Sequence, residues 1–233
     1  MKMIQLGILG LTLVGWAQGA SIAITNASFE NNTPLGFGCG PGCDYQFGLM
    51  SGWTIDGSAL SAGTWRPAPA TTPTFFNSVP DGINIGFAHD GASLRQVVGV
   101  TAVDGQTYEL QVDLGYRKDL AALGYFDRLG IIELVVGTTR VLATGTAPTL
   151  GNWSTYTASY TAVLGDTGKQ IEIVLTGRDA SNNNTLGNFD NARLTSFGPP
   201  LNEPTDAVPE PAGLGIAGLA GLMLAGRYLK RRS

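Results

Sequence analysis

Residues 106–115 read QTYELQVDLG, with Tyr108, Leu110, Val112 and Leu114 on one side and Glu109, Gln111 and Asp113 on the other. A period of two is the spacing of a strand that buries one face. The alternation recurs in residues 170–177, where Ile171, Ile173 and Leu175 oppose Glu172 and Thr176, and in 155–162, where Tyr156, Ala158, Tyr160 and Ala162 alternate with threonine and serine. Residues 129–136 form a nearly continuous apolar run, the pattern of a central strand. Turn-forming pairs separate these segments: Asp104-Gly105, Gly165-Asp166, Thr167-Gly168 and Asn182-Asn183-Asn184. Only residues 117–126, RKDLAALGYF, could make a short helix, and they read as a loop with a single turn. Many short strands punctuated by turns predict an all-β, antiparallel β-sandwich or barrel.

Both ends of the chain differ from this middle. Residues 1–20 read as a secretory signal peptide: Lys2, then an uncharged, mostly apolar run from Met3 to Trp16, then the small-residue segment Ala17-Gln18-Gly19-Ala20. The run is shorter than the roughly 20 apolar residues a bilayer span needs, which argues for a cleaved leader and against an anchor. Signal peptidase and an exported destination follow from that reading. Residues 198–207 are rich in proline and polar side chains and read as a linker. From Ala212 to Gly226 no charged side chain occurs, and Arg227, Lys230, Arg231 and Arg232 follow at once. An uncharged stretch ending in a basic cluster is a stop-transfer pattern. Taken as a helix over 212–229 with a basic tail over 227–232, it is about 27 Å long and just spans a membrane.

The residues between leader and tail, roughly 185 of them, suffice for one domain with a core of its own. The whole chain has 14 Lys+Arg against 18 Asp+Glu, a net charge of −4. Setting aside Lys2, the four basic tail residues and Glu210 leaves a domain near −8. That balance excludes nucleic acid, which demands a basic footprint. The two cysteines, Cys39 and Cys43, lie in Gly38-Cys39-Gly40-Pro41-Gly42-Cys43. An exported chain with such a pair in a tight Gly/Pro loop is expected to form a disulfide.

The segment Val208-Pro209-Glu210-Pro211, the apolar stretch after it and the basic end resemble a PEP-CTERM sorting signal over residues 208–233. The resemblance implies processing by an exosortase near that motif, a membrane-held intermediate in a Gram-negative bacterium, then the cell surface or the extracellular matrix. A second resemblance runs through residues 21–197. The ordered landmarks Ile24-Thr25-Asn26-Ala27-Ser28-Phe29-Glu30, Ser51-Gly52-Trp53, Pro80-Asp81-Gly82-Ile83-Asn84, Ser93-Leu94-Arg95-Gln96-Val97-Val98 and Asn188-Phe189-Asp190-Asn191-Ala192-Arg193-Leu194 are similar to those of galactose-binding-like jelly rolls, carbohydrate-binding modules among them. It implies a structural calcium held by Glu30 and Asp190, an ion that takes several hard oxygens. The alternative is that Glu30 is a solvated loop carboxylate and Asp190 caps a turn.

Sugar-binding surfaces use aromatic faces edged by polar groups. Trp53 is expected in the core. Trp65 and Arg66, in the apparently irregular stretch 57–80, and Tyr116, Arg117 and Tyr125, in the loop with Asp119 and Asp127, are the candidate glycan-binding residues, each with packing as its alternative. No catalytic residues stand out: His89 beside Asp90 lacks a nucleophile motif, and no carboxylate pair is singled out. The expected function is a non-enzymatic surface protein that binds or organises exopolysaccharide. The alternatives are a structural matrix protein acting through protein–protein contact and a glycoside hydrolase without a recognisable motif.

Overall fold

The computed structural model describes residues 19–31, 37–48, 50–67, 75–89, 91–120, 130–177 and 186–198. The leader through residue 18, Tyr125, Asp127, the sorting motif Val208–Pro211 and the helix expected over 212–229 lie outside these residues. Among the described residues no helix is long and apolar enough to cross a membrane.

The described chain is all-β, built from two antiparallel sheets. The larger contains β1 (Ala20–Ile22), β2 (Phe37–Gly40), β3 (Cys43–Phe47), β5 (Ala62–Arg66), β6 (Ile85–His89), β8 (Thr107–Gly115), β11 (Trp153–Thr161) and β13 (Leu186–Phe197). Its order is β11-β8-β13-β6-β5-β3-β2, with β1 pairing β13. The smaller contains β4 (Thr54–Asp56), β7 (Ser93–Thr101), β9 (Ile131–Val136), β10 (Thr139–Leu142) and β12 (Gln170–Thr176), in the order β10-β9-β12-β7-β4.

The period-two segments supply the interior. Tyr108, Leu110, Val112 and Leu114 of β8, with Ala158, Phe189 and Leu194, face Leu94, Val98, Leu134, Ile171, Ile173 and Leu175 of the smaller sheet in one buried cluster. Packing two sheets through alternating residues is what makes a sandwich. Trp53 sits in this core, its ring 5.4 Å from that of Phe29 and its Nε1 donating to the Asn26 carbonyl at 3.1 Å. Residues 118–120 form one 3₁₀ turn, the single turn expected within 117–126. The stretch 57–80 is less irregular than its composition suggests, because Ala62–Arg66 pairs with both β3 and β6.

In the larger sheet β5 and β6 carry apolar residues on both faces, and β3 lays Cys43, Tyr45 and Phe47 on the outer one. On β6, Gly86 and Ala88 face the interior, where Phe29 occupies the space beside Gly86, while Ile85 and Phe87 face outward into a second buried cluster with Cys43, Trp65 and Phe76. Small residues inside and aromatic residues outside are the reverse of an ordinary half-buried strand. The outer face of the larger sheet therefore needs a cover or a ligand.

Candidate functional site

That outer face carries a cleft of about 270 Å³ lined by Cys39, Tyr45, Phe47, Trp65, Phe75, Phe87, His89, Arg117 and Leu186. Cross-strand register assembles it. Phe37 pairs with Tyr45, Tyr45 with Trp65, Trp65 with Ile85, and His89 with Leu186, so residues of five neighbouring strands present their side chains together. Phe47 stands edge-on to Tyr45 (5.3 Å), Phe87 (5.6 Å) and His89 (6.1 Å), and the His89 ring lies parallel to Phe87 at 6.3 Å. Cys39 and Cys43 form a disulfide across the β2–β3 hairpin, and the Trp65 Nε1 donates to Cys43 Sγ at 3.3 Å.

One cation enters this apolar surface. The Arg117 guanidinium lies 4.6 Å from the Trp65 ring centre and 4.9 Å from that of Phe75, while its Nη2 and Nε donate to Asp119 at 2.6 and 3.0 Å. Stacking holds the plane of the guanidinium and the bidentate carboxylate fixes its rotation. Arg117→Ala is expected to cost about 1–2 kcal/mol, measured as a lower denaturant midpoint with unchanged slope. Arg117→Lys should recover less than half of that, because an ammonium cannot stack and fork at once.

The structure separates the residues singled out from sequence. Trp65 and Arg117 meet in the cleft, but Trp65 is a buried wall, 5% exposed, and not a protruding platform. Arg66, next along β5, points elsewhere and donates through Nε to Asn84 Oδ1 at 3.4 Å. Tyr116 is buried, its backbone bonded to Gly151 and Asn152. Tyr45, Phe47, Phe75, Phe87, His89 and Leu186 were not singled out as site residues. The signal that could have found them is the alternation of Tyr45-Gln46-Phe47 and the two-faced apolar pattern of Ile85-Gly86-Phe87-Ala88-His89.

Glu30 and Asp190 both grip the turn between residues 81 and 84. Asp190 Oδ2 accepts from the Asp81 N–H at 3.0 Å; Glu30 Oε1 accepts from Ile83 and Asn84 at 2.8 and 2.6 Å. Asp190 is fully buried, and burial pushes its carboxyl up to about 8, reinforced by the nearby charges of Asp81 and Asp113. A buried carboxylate crowded by others fits a hard cation that would neutralise it. Among the described residues, however, no three acidic, histidine or cysteine side chains converge as a metal cluster, so a cation here would draw further ligands from backbone or water.

The family model for HpiC1 cyclase matches residues 20–195. The chain belongs to the HpiC1-like cyclase family. Among solved structures, the Stig cyclase Fisc from Fischerella sp. TAU, in complex with (3Z)-3-(1-methyl-2-pyrrolidinylidene)-3H-indole, is 21% identical with a TM-score of 0.61, over 78% of this chain and 99% of that one. A cyclase from Fischerella sp. TAU in complex with 4-(1H-indol-3-yl)butan-2-one is also 21% identical, with a TM-score of 0.59, over 77% of this chain and 98% of that one. At this identity the two share the fold. No curated protein matches the sequence.

Membership of the HpiC1-like family corrects four expectations. The chain is a member of an enzyme family, not a non-catalytic protein. It is a cyclase-family chain and not a carbohydrate-binding PEP-CTERM protein, and the readings built on that resemblance, exosortase processing and a role in exopolysaccharide or extracellular matrix, fall with it. The physical reason is that strand pattern and landmark order specify the sandwich, while its use is decided by the side chains on one outer face.

Proposed function

We propose that this HpiC1-like protein is an exported cyclase that folds an indole-bearing substrate inside the aromatic cleft and closes a new ring. The observation that carries the reading is the cleft itself: nine lining residues, six of them aromatic or imidazole, with one fixed guanidinium. Such walls exclude water and offer π faces to positive charge that develops as a ring closes. They also hold a flexible apolar substrate in one folded conformation, which is where intramolecular reactions gain most. His89 is the lining side chain whose ring nitrogens can both donate and accept a proton. A proton added at one carbon, a carbon–carbon bond formed, and a proton lost from another carbon leave product and substrate as isomers.

The indole comes from the ligands of the two Fischerella cyclases that share the fold. Export rests on the leader pattern of residues 1–20, for which signal peptidase is the partner, and a disulfide on the cleft wall suits an oxidising compartment. Within the sandwich, a jelly-roll course of the chain agrees with the strand order. A structural calcium at Glu30 and Asp190 would fix the 81–84 turn and take no part in the chemistry.

The test is calorimetric titration of the purified protein with 4-(1H-indol-3-yl)butan-2-one. Saturable binding is expected, weakened roughly tenfold in Phe47→Ala, which loses one buried aromatic contact, and unchanged in His89→Gln. The His89 variant should instead lose ring closure, read as the disappearance of an isobaric product. Absence of saturable heat, or binding indifferent to Phe47, would remove the cleft as the substrate site.

A further inference from the structure

β2 is the last strand of the larger sheet and pairs only with β3. All four of its residues are exposed, and its pairing slips between Gly38 and Gly40. Side chains built at those two glycines would meet nothing within 4 Å, so open space lies beside both. Phe37 leans on Tyr45 at 5.4 Å and on Phe47 at 6.1 Å, yet it stays 56% exposed. An edge strand that buries so little surface opens easily. The Cys39–Cys43 disulfide is what ties this one to the wall of the cleft.

The two sulfurs of that bond have different surroundings. Cys39 is exposed and lines the cleft, whereas Cys43 is 1% exposed and lies among Trp65, Phe76, Ile85 and Phe87. Trp65 Nε1 donates to Cys43 Sγ at 3.3 Å. Disulfide exchange proceeds by attack of a thiolate on one sulfur, and it is favoured where that sulfur is accessible and its partner leaves as a stabilised thiolate. Attack at Cys39 meets both conditions. The approach is open, and the departing Cys43 thiolate keeps the Trp65 hydrogen bond, which offsets the charge penalty of burial. The bonded cysteines are four residues apart, so the closed loop is small and its loss costs the whole fold little.

We infer that Cys39–Cys43 is a thiol–disulfide exchange site whose opening by a dithiol releases the β2 wall and weakens binding in the aromatic cleft. One thiolate of the dithiol attacks Cys39 Sγ, the Cys39–Cys43 bond breaks, and Cys43 leaves as a thiolate that takes up a proton. The second thiol then displaces Cys39. The reagent departs as a cyclic disulfide, and two electrons and two protons have passed to the protein as two thiols. With the tie gone, β2 parts from β3, Phe37 no longer backs Tyr45, and the cleft loses the wall that Cys39 formed. The reverse step completes the cleft, so a chain exported from a reducing compartment gains its site only on oxidation. The gating rests on the reading of the cleft as an indole site; the exchange chemistry does not.

The experiment treats the folded protein with dithiothreitol, a dithiol, and alkylates the thiols that appear. Reduction without denaturant is expected, and brief exposure to glutathione should leave that thiol attached to Cys39 and not to Cys43. Calorimetry should then show 3-methylindole bound roughly tenfold more weakly by the reduced protein, which stays folded. By reciprocity, saturating 3-methylindole should shift the exchange equilibrium toward the disulfide by the same factor. A protein carrying both Cys39→Ser and Cys43→Ser should bind as the reduced form does and ignore dithiothreitol. A bond that yields only on unfolding, or glutathione found on Cys43, overturns the exchange site. Affinity equal to that of the oxidised protein in the reduced form or in the double variant, or a loss of binding that comes with global unfolding, overturns the gating and leaves the indole cleft standing. Failure of the oxidised protein to bind 3-methylindole overturns the indole reading together with the gating, and the thiol measurement alone then decides the exchange site.

Discussion

Phe189→Ala is expected to lower stability by about 3–5 kcal/mol, the largest effect of any single truncation considered for this fold. Phe189 is fully buried at the centre of the larger sheet, paired with Leu114 of β8 and Gly86 of β6. Its ring lies against Gly130 and Gly187, both of which would clash with it if they carried a side chain. Two glycines therefore shape the socket, and backbone cannot collapse inward as side chains can, so most of the cavity would persist. A domain of this size has a net stability of only about 5–15 kcal/mol, so the variant should melt far below wild type. The loss should appear as a lower denaturant midpoint at constant slope, since the denatured state is unchanged. A cost below about 1 kcal/mol would mean that the ring is not the central contact between the sheets. The variant also tests coupling to the site, because Leu186 and Asn188 project from the other face of the same strand. In the folded fraction, binding of 3-methylindole should weaken as well.

The parts of the fold legible in the sequence are those where one physical demand acts on each strand. In β8 and β12 the interior takes every second residue, so alternation alone reveals the strand and its buried face. Trp53 was legible from its place after Ser51-Gly52 in the order of jelly-roll landmarks. β5 and β6 were harder because both faces are apolar and the inner one is made of alanine and glycine. Trp65 reads as a loop platform from its Pro- and Thr-rich neighbourhood, yet register with Tyr45 and Ile85 makes it a wall. The enzymatic nature of the chain left even less trace. An aromatic cleft works through shape and π faces and needs no spaced pair of carboxylates or nucleophile motif, so a search for such motifs returns nothing.

Asp190 gives the second large effect, and its sign depends on both pH and cation. The folded carboxyl titrates at about 8 because burial disfavours its charge, while the unfolded one follows the ordinary aspartate value of about 3.9. Below the unfolded value both states are protonated, and the native chain bears no charge penalty there. As pH rises from about 4 to the folded value, the unfolded chain ionises first, the native state holds the extra proton, and stability falls. Above about 8 both are ionised and the loss is complete. Metal-free protein should thus lose melting temperature between pH 5 and 8, more steeply than Asp190→Asn. That variant carries no charge there, though one of the two N–H donors, Asp81 or Asn191, must then face an amide NH₂ and lower its stability at acid pH. A divalent cation binds the ionised form, so added calcium should raise the wild-type melting temperature strongly at pH 8, weakly at pH 5, and not at all in Asp190→Asn. Identical melting with calcium and with chelator at pH 8 would reduce Glu30 and Asp190 to clamps on the 81–84 turn. A metal-free pH slope shared by wild type and variant would mean that this carboxyl is not the group that titrates. If calcium acts as expected, it does so at the turn leading into β6, the strand that presents Phe87 and His89 to the cleft. Binding of 3-methylindole at pH 8 should then depend on calcium in parallel with stability, a coupling that arises because the turn gripped by one buried charge leads directly into the strand that carries the aromatic wall.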